Sequence, residues 1–125
     1  MAIKGFHHVA IFTDDLVKSR KFYEALGGNL VHSFESPSNN KEIDLIKLAE
    51  GATVELIQKP APKMQGSFPH LAIETDDIEG LFEIATKAGA SVDSPIKQMF
   101  LGDMEVKNCF LIGPDSEVIE LFEVL

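Results

Sequence analysis

Two histidines and two glutamates are the residues here whose types and spacing suggest chemistry. His8 opens the run His8-Val-Ala-Ile-Phe-Thr-Asp-Asp-Leu16, and His70 opens His70-Leu-Ala-Ile-Glu-Thr-Asp-Asp-Ile78. Six of the nine positions are identical, and two more exchange one aliphatic residue for another. A second echo follows in each half, where Thr53-Val-Glu-Leu56 answers Val118-Ile-Glu-Leu121. An acid inside an otherwise apolar strand is costly to bury unless something positive compensates it. The same anomaly at matched places in both halves predicts a shared partner for Glu55 and Glu120. Two imidazoles and two carboxylates suit a divalent transition ion, with water or substrate completing a sphere of about five or six ligands.

Taken singly, a strand histidine is ordinarily just hydrogen-bonded and a strand glutamate just solvated. The doubling, in register with the repeat, favours the joint reading. His7 serves as a contrast: its repeat partner is Pro69, strand alternation turns it away from His8, and it reads as structural. His32 has no counterpart and reads as a surface-strand residue. Cys109 is the only cysteine, so no internal disulfide can form and a buried apolar thiol is expected.

The elements that must position these residues follow from periodicity. Residues 6–13 and 68–75 alternate as strands. Asp14-Asp15 and Asp76-Asp77 supply helix N-caps, and helical spacing runs over 16–26 and 78–88 until Gly27-Gly28 and Gly89 end it. Further strands are expected over 30–34, 43–48 and 53–58, and around 91–92, 105–112 and 117–124. Ser36 to Asn40 reads as loop, and Pro60-Ala-Pro62 as the joint. On each strand the acid faces away from its aliphatic neighbours: Glu55 lies opposite Val54 and Leu56, and Glu120 opposite Ile119 and Leu121. The fold class is α+β: one domain, residues 1–125, of two βαβββ modules (1–62 and 63–125) related by internal pseudo-symmetry. Each module is too small to close a core alone, so the two should pair their sheets.

Composition excludes several function classes. The chain is long enough to bury a core, 45% of it is hydrophobic, and no apolar run approaches the roughly 18 residues of a membrane span. A formal charge of −9 argues against a nucleic-acid partner. The opening residues have no charged-then-apolar signal pattern, so a cytoplasmic protein is expected. Arg20 is the only arginine.

These residues carry a pattern that resembles the vicinal oxygen chelate superfamily, which includes glyoxalase I, methylmalonyl-CoA epimerase, extradiol dioxygenases, and fosfomycin and bleomycin resistance proteins. The matching signature is His8-Val-Ala-Ile with Asp15-Leu16 and Phe22-Tyr23, repeated as His70-Leu-Ala-Ile with Asp77-Ile78, and closed by Val118-Ile-Glu-Leu-Phe122. The resemblance covers essentially the whole chain and implies a mixed sheet curved around a metal site. It implies metal ligands at His8, Glu55, His70 and Glu120, binding one divalent ion per site (nickel, zinc, manganese, cobalt or iron). A His/Glu/His/Glu set is similar to bacterial glyoxalase I, whereas epimerases often carry Gln at the second position and dioxygenases do not need it. The implied reaction is a lyase's proton transfer beside a metal-chelated carbonyl, through an enediolate. Glu120 is the implied base and Glu55 the second candidate.

The resemblance further implies a small-molecule substrate and a homodimer with sites shared between subunits. Phe12, Ile57, Phe100 and Phe122 are candidates to line an apolar pocket, with Glu74 on its border. Where glutathione-using members place arginine, this chain has Phe12, repeated as Glu74, and only Lys59 and Lys63 remain as possible contacts for a carboxylate. Met99 and Met104 flank Gly102-Asp103, as either a lip over the site or a plain hairpin. The rival readings are an epimerase, an extradiol dioxygenase, or a metal-free ligand-binding protein of the bleomycin-resistance kind.

Overall fold

The repeat seen in the sequence returns as a repeat of hydrogen bonds. In the computed structural model, which describes residues 6–36, 40–60, 70–101 and 103–125, the chain divides into two compact units, 1–62 and 63–125. The first contains β1 (Val9–Thr13), α1 (Leu16–Ala25), β2 (Asn29–Glu35), β3 (Glu42–Ala49) and β4 (Ala52–Gln58). The second contains β5 (Leu71–Glu74), α2 (Ile78–Lys87), β6 (Ser91–Leu101), β7 (Met104–Ile112) and β8 (Val118–Val124). Each unit is therefore βαβββ, and the architecture is α+β. The described strands order as β1-β4-β3-β2 and as β5-β8-β7-β6. In both sheets the first strand pairs parallel with the last and the other pairings are antiparallel, so each is mixed.

The helices start and stop by the same devices. The Asp15 carboxylate accepts the Lys18 amide and the Asp77 carboxylate accepts the Gly80 amide, both at 3.1 Å, which satisfies an orphan donor of the first turn. The hydroxyls of Thr13 and Thr75 accept the amides of Asp15 and Asp77. Each sheet also reaches over to its helix, since Gln58 Oε1 accepts the Leu16 amide and Glu123 Oε1 the Ile78 amide, each at 2.8 Å. At the other end Gly27 and Gly89 adopt φ of 105° and 118°, and the next amide bonds back to Tyr23 or Ala85. That is the glycine-terminated helix end, which a side chain would strain.

One face of each sheet is covered by its helix. In the first unit Ile46, Val54 and Leu56 are buried together with Leu16, Phe22 and Tyr23; in the second Cys109, Leu111, Ile119 and Leu121 are buried with Ile78 and Ala85. Each large aliphatic side chain so buried contributes about 1.5–3 kcal/mol. The opposite face carries Glu55 or Glu120.

Two expectations change. The strand predicted around 91–92 runs to Leu101, through Pro95. Proline is tolerated there because β6 is the outermost strand of its sheet and its pairing is irregular between Val92 and Lys97. The strands expected to hold His8 and His70 begin one residue after them, because the parallel ladders start at Val9↔Val54 and Leu71↔Ile119. Met99 and Met104 stand near the turn end of the β6–β7 hairpin, where Leu101 pairs with Met104. Residues 1–5, 37–39, 61–69 and 102, which include most of the proline joint, Lys63, the expected strand start at Phe68, Pro69 and Gly102, lie outside the described residues.

Candidate functional site

The site begins with register. Glu55 pairs across the parallel ladder with Ala10, and Glu120 pairs with Ala72. Residues two apart on a strand share a face. Each carboxylate therefore passes the smallest side chain on the neighbouring strand and meets the histidine two positions earlier. His8 Nε2 lies 3.4 Å from Glu55 Oε1, and His70 Nε2 lies 3.1 Å from Glu120 Oε1. The carboxylates are the more enclosed partners, at 17% and 10% exposure against 36% and 35% for the imidazoles. The acids thus rest on the sheet while the rings close over them from its edge.

These separations can be tested against a metal's requirements. Nitrogen and oxygen ligands about 2.1 Å from one ion lie about 3.0 Å apart along an octahedral edge and about 3.4 Å apart along a tetrahedral one. The two pairs fall at those values. Within each unit the described residues bring together a pair of potential ligands, not a group of three or more. One such pair alone is a partial shell for a metal ion.

The surroundings of the pairs differ. In the first unit, His7 Nδ1 lies 2.9 Å from His8 Nδ1, with the rings edge to face. One of these nitrogens must donate and the other accept, so His7 bears on the ring orientation of His8. The expected turning-away of His7 fails: it precedes β1 by two residues, and its ring lies against that of His8. In the second unit, Asn108 Nδ2 donates to Glu120 Oε2 at 2.9 Å, and Phe110 packs edge-on against His70. Asn108 was not singled out by sequence. It stands where the first unit has Ile43, and a polar residue replacing an apolar one at matched register was the signal available.

Phe12 pairs with Ile57 beside Glu55, and Lys59 Nζ sits 4.5 Å over the Phe12 ring, a cation–π contact. Glu74 pairs with Phe122 beside Glu120. Phe100 is not brought to its unit's pair: it faces Glu105 across β6–β7, five residues along β7 from the partner of Glu120 and so about 17 Å away. His32 lies exposed on β2. Cys109 is fully buried on the helix side of β7. Burial pushes its thiol above the ordinary value, the Glu120 charge adds to that, and a bond with the Leu121 backbone only partly offsets it. It is no nucleophile. Arg20 is engaged with Asp44. No helix among the described residues is long and apolar enough to cross a membrane.

A sequence profile of the glyoxalase/bleomycin resistance protein/dioxygenase superfamily matches residues 5–121. A glyoxalase family protein from Bacillus cereus superposes with a TM-score of 0.80 at 19% identity, covering 100% of this chain and 97% of that one. One from Enterococcus faecalis gives 0.75 at 23% identity, over 98% and 100%. A glyoxalase I variant from Zea mays gives 0.72 at 20% identity, over 94% of this chain and 44% of that one. At these identities the likeness is one of fold. No curated protein matches the chain.

Proposed function

The chain belongs to the glyoxalase/bleomycin resistance protein/dioxygenase superfamily, and we propose that it is a metal-dependent lyase of the glyoxalase I type. In this reading it moves a proton between adjacent carbons of a small, hemithioacetal-like substrate through an enediolate. The observation that carries the reading is the duplicated pair, His8 Nε2 to Glu55 Oε1 at 3.4 Å and His70 Nε2 to Glu120 Oε1 at 3.1 Å. Members of the superfamily typically bind a divalent metal ion. His8, Glu55, His70 and Glu120 would hold it, two ligands from each unit, and nickel, zinc, manganese, cobalt and iron all accept such donors. When bound, the ion would polarise the vicinal oxygens of the substrate as a Lewis acid.

The chain's own carboxylates do the proton work. Glu120, the base that the family likeness favours, or Glu55 takes a proton from one carbon and returns it to its neighbour, leaving no net change in charge or oxidation state. Phe12, Ile57 and Phe122, next to the two pairs, would exclude water from the anion while it exists. Arg20 is occupied by a buried partner, so no arginine remains to clamp a glutathione carboxylate. With Lys59 and Lys63 as the remaining candidate contacts for a carboxylate, the proposed substrates extend beyond glutathione to another thiol's adducts and to other small oxygenated compounds. Superfamily members are often dimers; the proposal includes a cytoplasmic homodimer whose sites draw on both subunits.

Elemental analysis of the purified protein and of a Glu120→Gln variant, with hemithioacetal isomerisation assayed on both, tests this. About one divalent ion per chain and activity lost in the variant is the expected result. Metal without that activity moves the search to epimerisation and oxygen-dependent ring cleavage. No metal in either protein after supplementation overturns the reading in favour of a ligand-binding role.

A further inference from the structure

The two His–Glu pairs are built alike, but among the described residues only one of their carboxylates is held by a third residue. Asn108 on β7 pairs with Phe122, two residues along β8 from Glu120, so its amide lies diagonally across from that acid on the same face. A diagonal neighbour is within reach of a long side chain, and Asn108 Nδ2 meets Glu120 Oε2 at 2.9 Å. Asn108 is itself buried, at 9% exposure. A donor to a carboxylate in such a place is a charge-assisted bond that fixes a rotamer. It occupies one oxygen and leaves the other, Oε1, directed at His70 Nε2. In the first unit the diagonal position across β3–β4 is Ile43, equally buried at 9% and with no donor to offer. Among the described residues Glu55 has His8 as its polar partner and no amide behind it.

We propose that Asn108 is a positioning residue that pins Glu120 as the fixed carboxylate ligand, leaving Glu55 as the carboxylate that shifts and carries the proton. This deepens the metal-dependent reading and rests on it. Internal duplication gave two matched acids, and the Ile-to-Asn difference between the halves gives one of them an amide donor that the other lacks. A pinned carboxylate keeps its place through a catalytic cycle because moving it would strand a buried amide donor. An unpinned one can leave its partner, take the proton from carbon and return it to the adjacent carbon, with no other reactant needed.

The test uses full-length protein and measures Ni2+ and Co2+ binding by calorimetry, with the Co2+ visible spectrum as a report on ligand geometry. Asn108→Ala is expected to weaken binding by about tenfold to a hundredfold, the range for losing a group that orients a ligand, and to alter the spectrum. Asn108→Gln, which keeps an amide donor, is expected to recover most of the loss. Asn108→Ile, borrowing the residue of the first unit, fills the space and guards against a folding failure. Glu120→Gln is expected to cost more affinity than Glu55→Gln, while Glu55→Gln is expected to cost more kcat on any substrate found. Wild-type affinity and spectrum in both Asn108→Ala and Asn108→Ile would overturn the positioning role. A larger affinity loss in Glu55→Gln than in Glu120→Gln would overturn the division of labour. A wild-type protein that binds neither ion would overturn the metal reading itself, and this inference with it.

Discussion

Asp44, fully buried on β3, accepts a hydrogen bond from the Arg20 guanidinium of α1 at 3.0 Å and another from the Ser33 hydroxyl of β2 at 2.7 Å. The chain's one arginine is thereby spent on fastening helix to sheet rather than on binding substrate. Removing one member of such a pair leaves an uncompensated charge in the interior. Arg20→Met is expected to destabilise the protein by about 3 kcal/mol, since breaking a buried pair typically costs 3–5 and Arg20 is partly solvated. At the matching place in the second unit the sheet carries Cys109, an uncharged residue. The double variant Arg20→Met with Asp44→Cys is therefore expected to regain most of the loss. Urea unfolding of the three proteins checks this, and a double variant no better than Arg20→Met would refute it.

The duplicated caps make a paired prediction. Asp15 and Asp77 each accept a first-turn amide at the same distance, with a threonine hydroxyl behind each. Asp15→Ala and Asp77→Ala are each expected to cost about 1 kcal/mol. Because they lie in separate units, the double variant is expected to cost the sum. Thermal or urea unfolding of the single and double variants measures it.

The caps, the glycine ends and the apolar faces were legible because each depends on residues near in sequence. Asp15 reaches an amide three residues on, and Val54 and Leu56 declare their shared face by strand period alone. The His–Glu pairs were legible only through duplication. Nothing local brings His8 to Glu55; what does is the parallel register Ala10↔Glu55, and the repeat hinted at that register by giving it twice. Residues without an echo stayed hidden. Asn108 differs from Ile43, Asp44 from Cys109, and each gains its meaning from a cross-strand neighbour that periodicity does not report. Pro95 concealed the length of β6, because a proline argues against a strand unless that strand is known to be an edge.

Cys109 gives a prediction about access. Its thiol is fully enclosed, and burial shifts it toward the unreactive protonated form. Modification by an exposed-thiol reagent is expected to be negligible in the folded protein and to develop along the urea unfolding curve. Rapid labelling without denaturant would mean that the second unit opens locally.

Metal binding should appear as stability. A ligand that binds only the folded state adds about 2.7 kcal/mol at a hundred times its dissociation constant. Saturating Ni2+ is therefore expected to raise the thermal midpoint of the wild-type protein by several degrees, and a chelator to reverse it. His8→Ala and His70→Ala each remove one imidazole from a different unit. If one ion takes ligands from both pairs, either variant alone abolishes most of the rise, and the double variant loses little more. If each pair instead binds its own ion weakly, each single variant keeps about half of the effect and their losses add. Scanning calorimetry of the four proteins, with and without Ni2+, separates the two cases, and the expected outcome is the non-additive one.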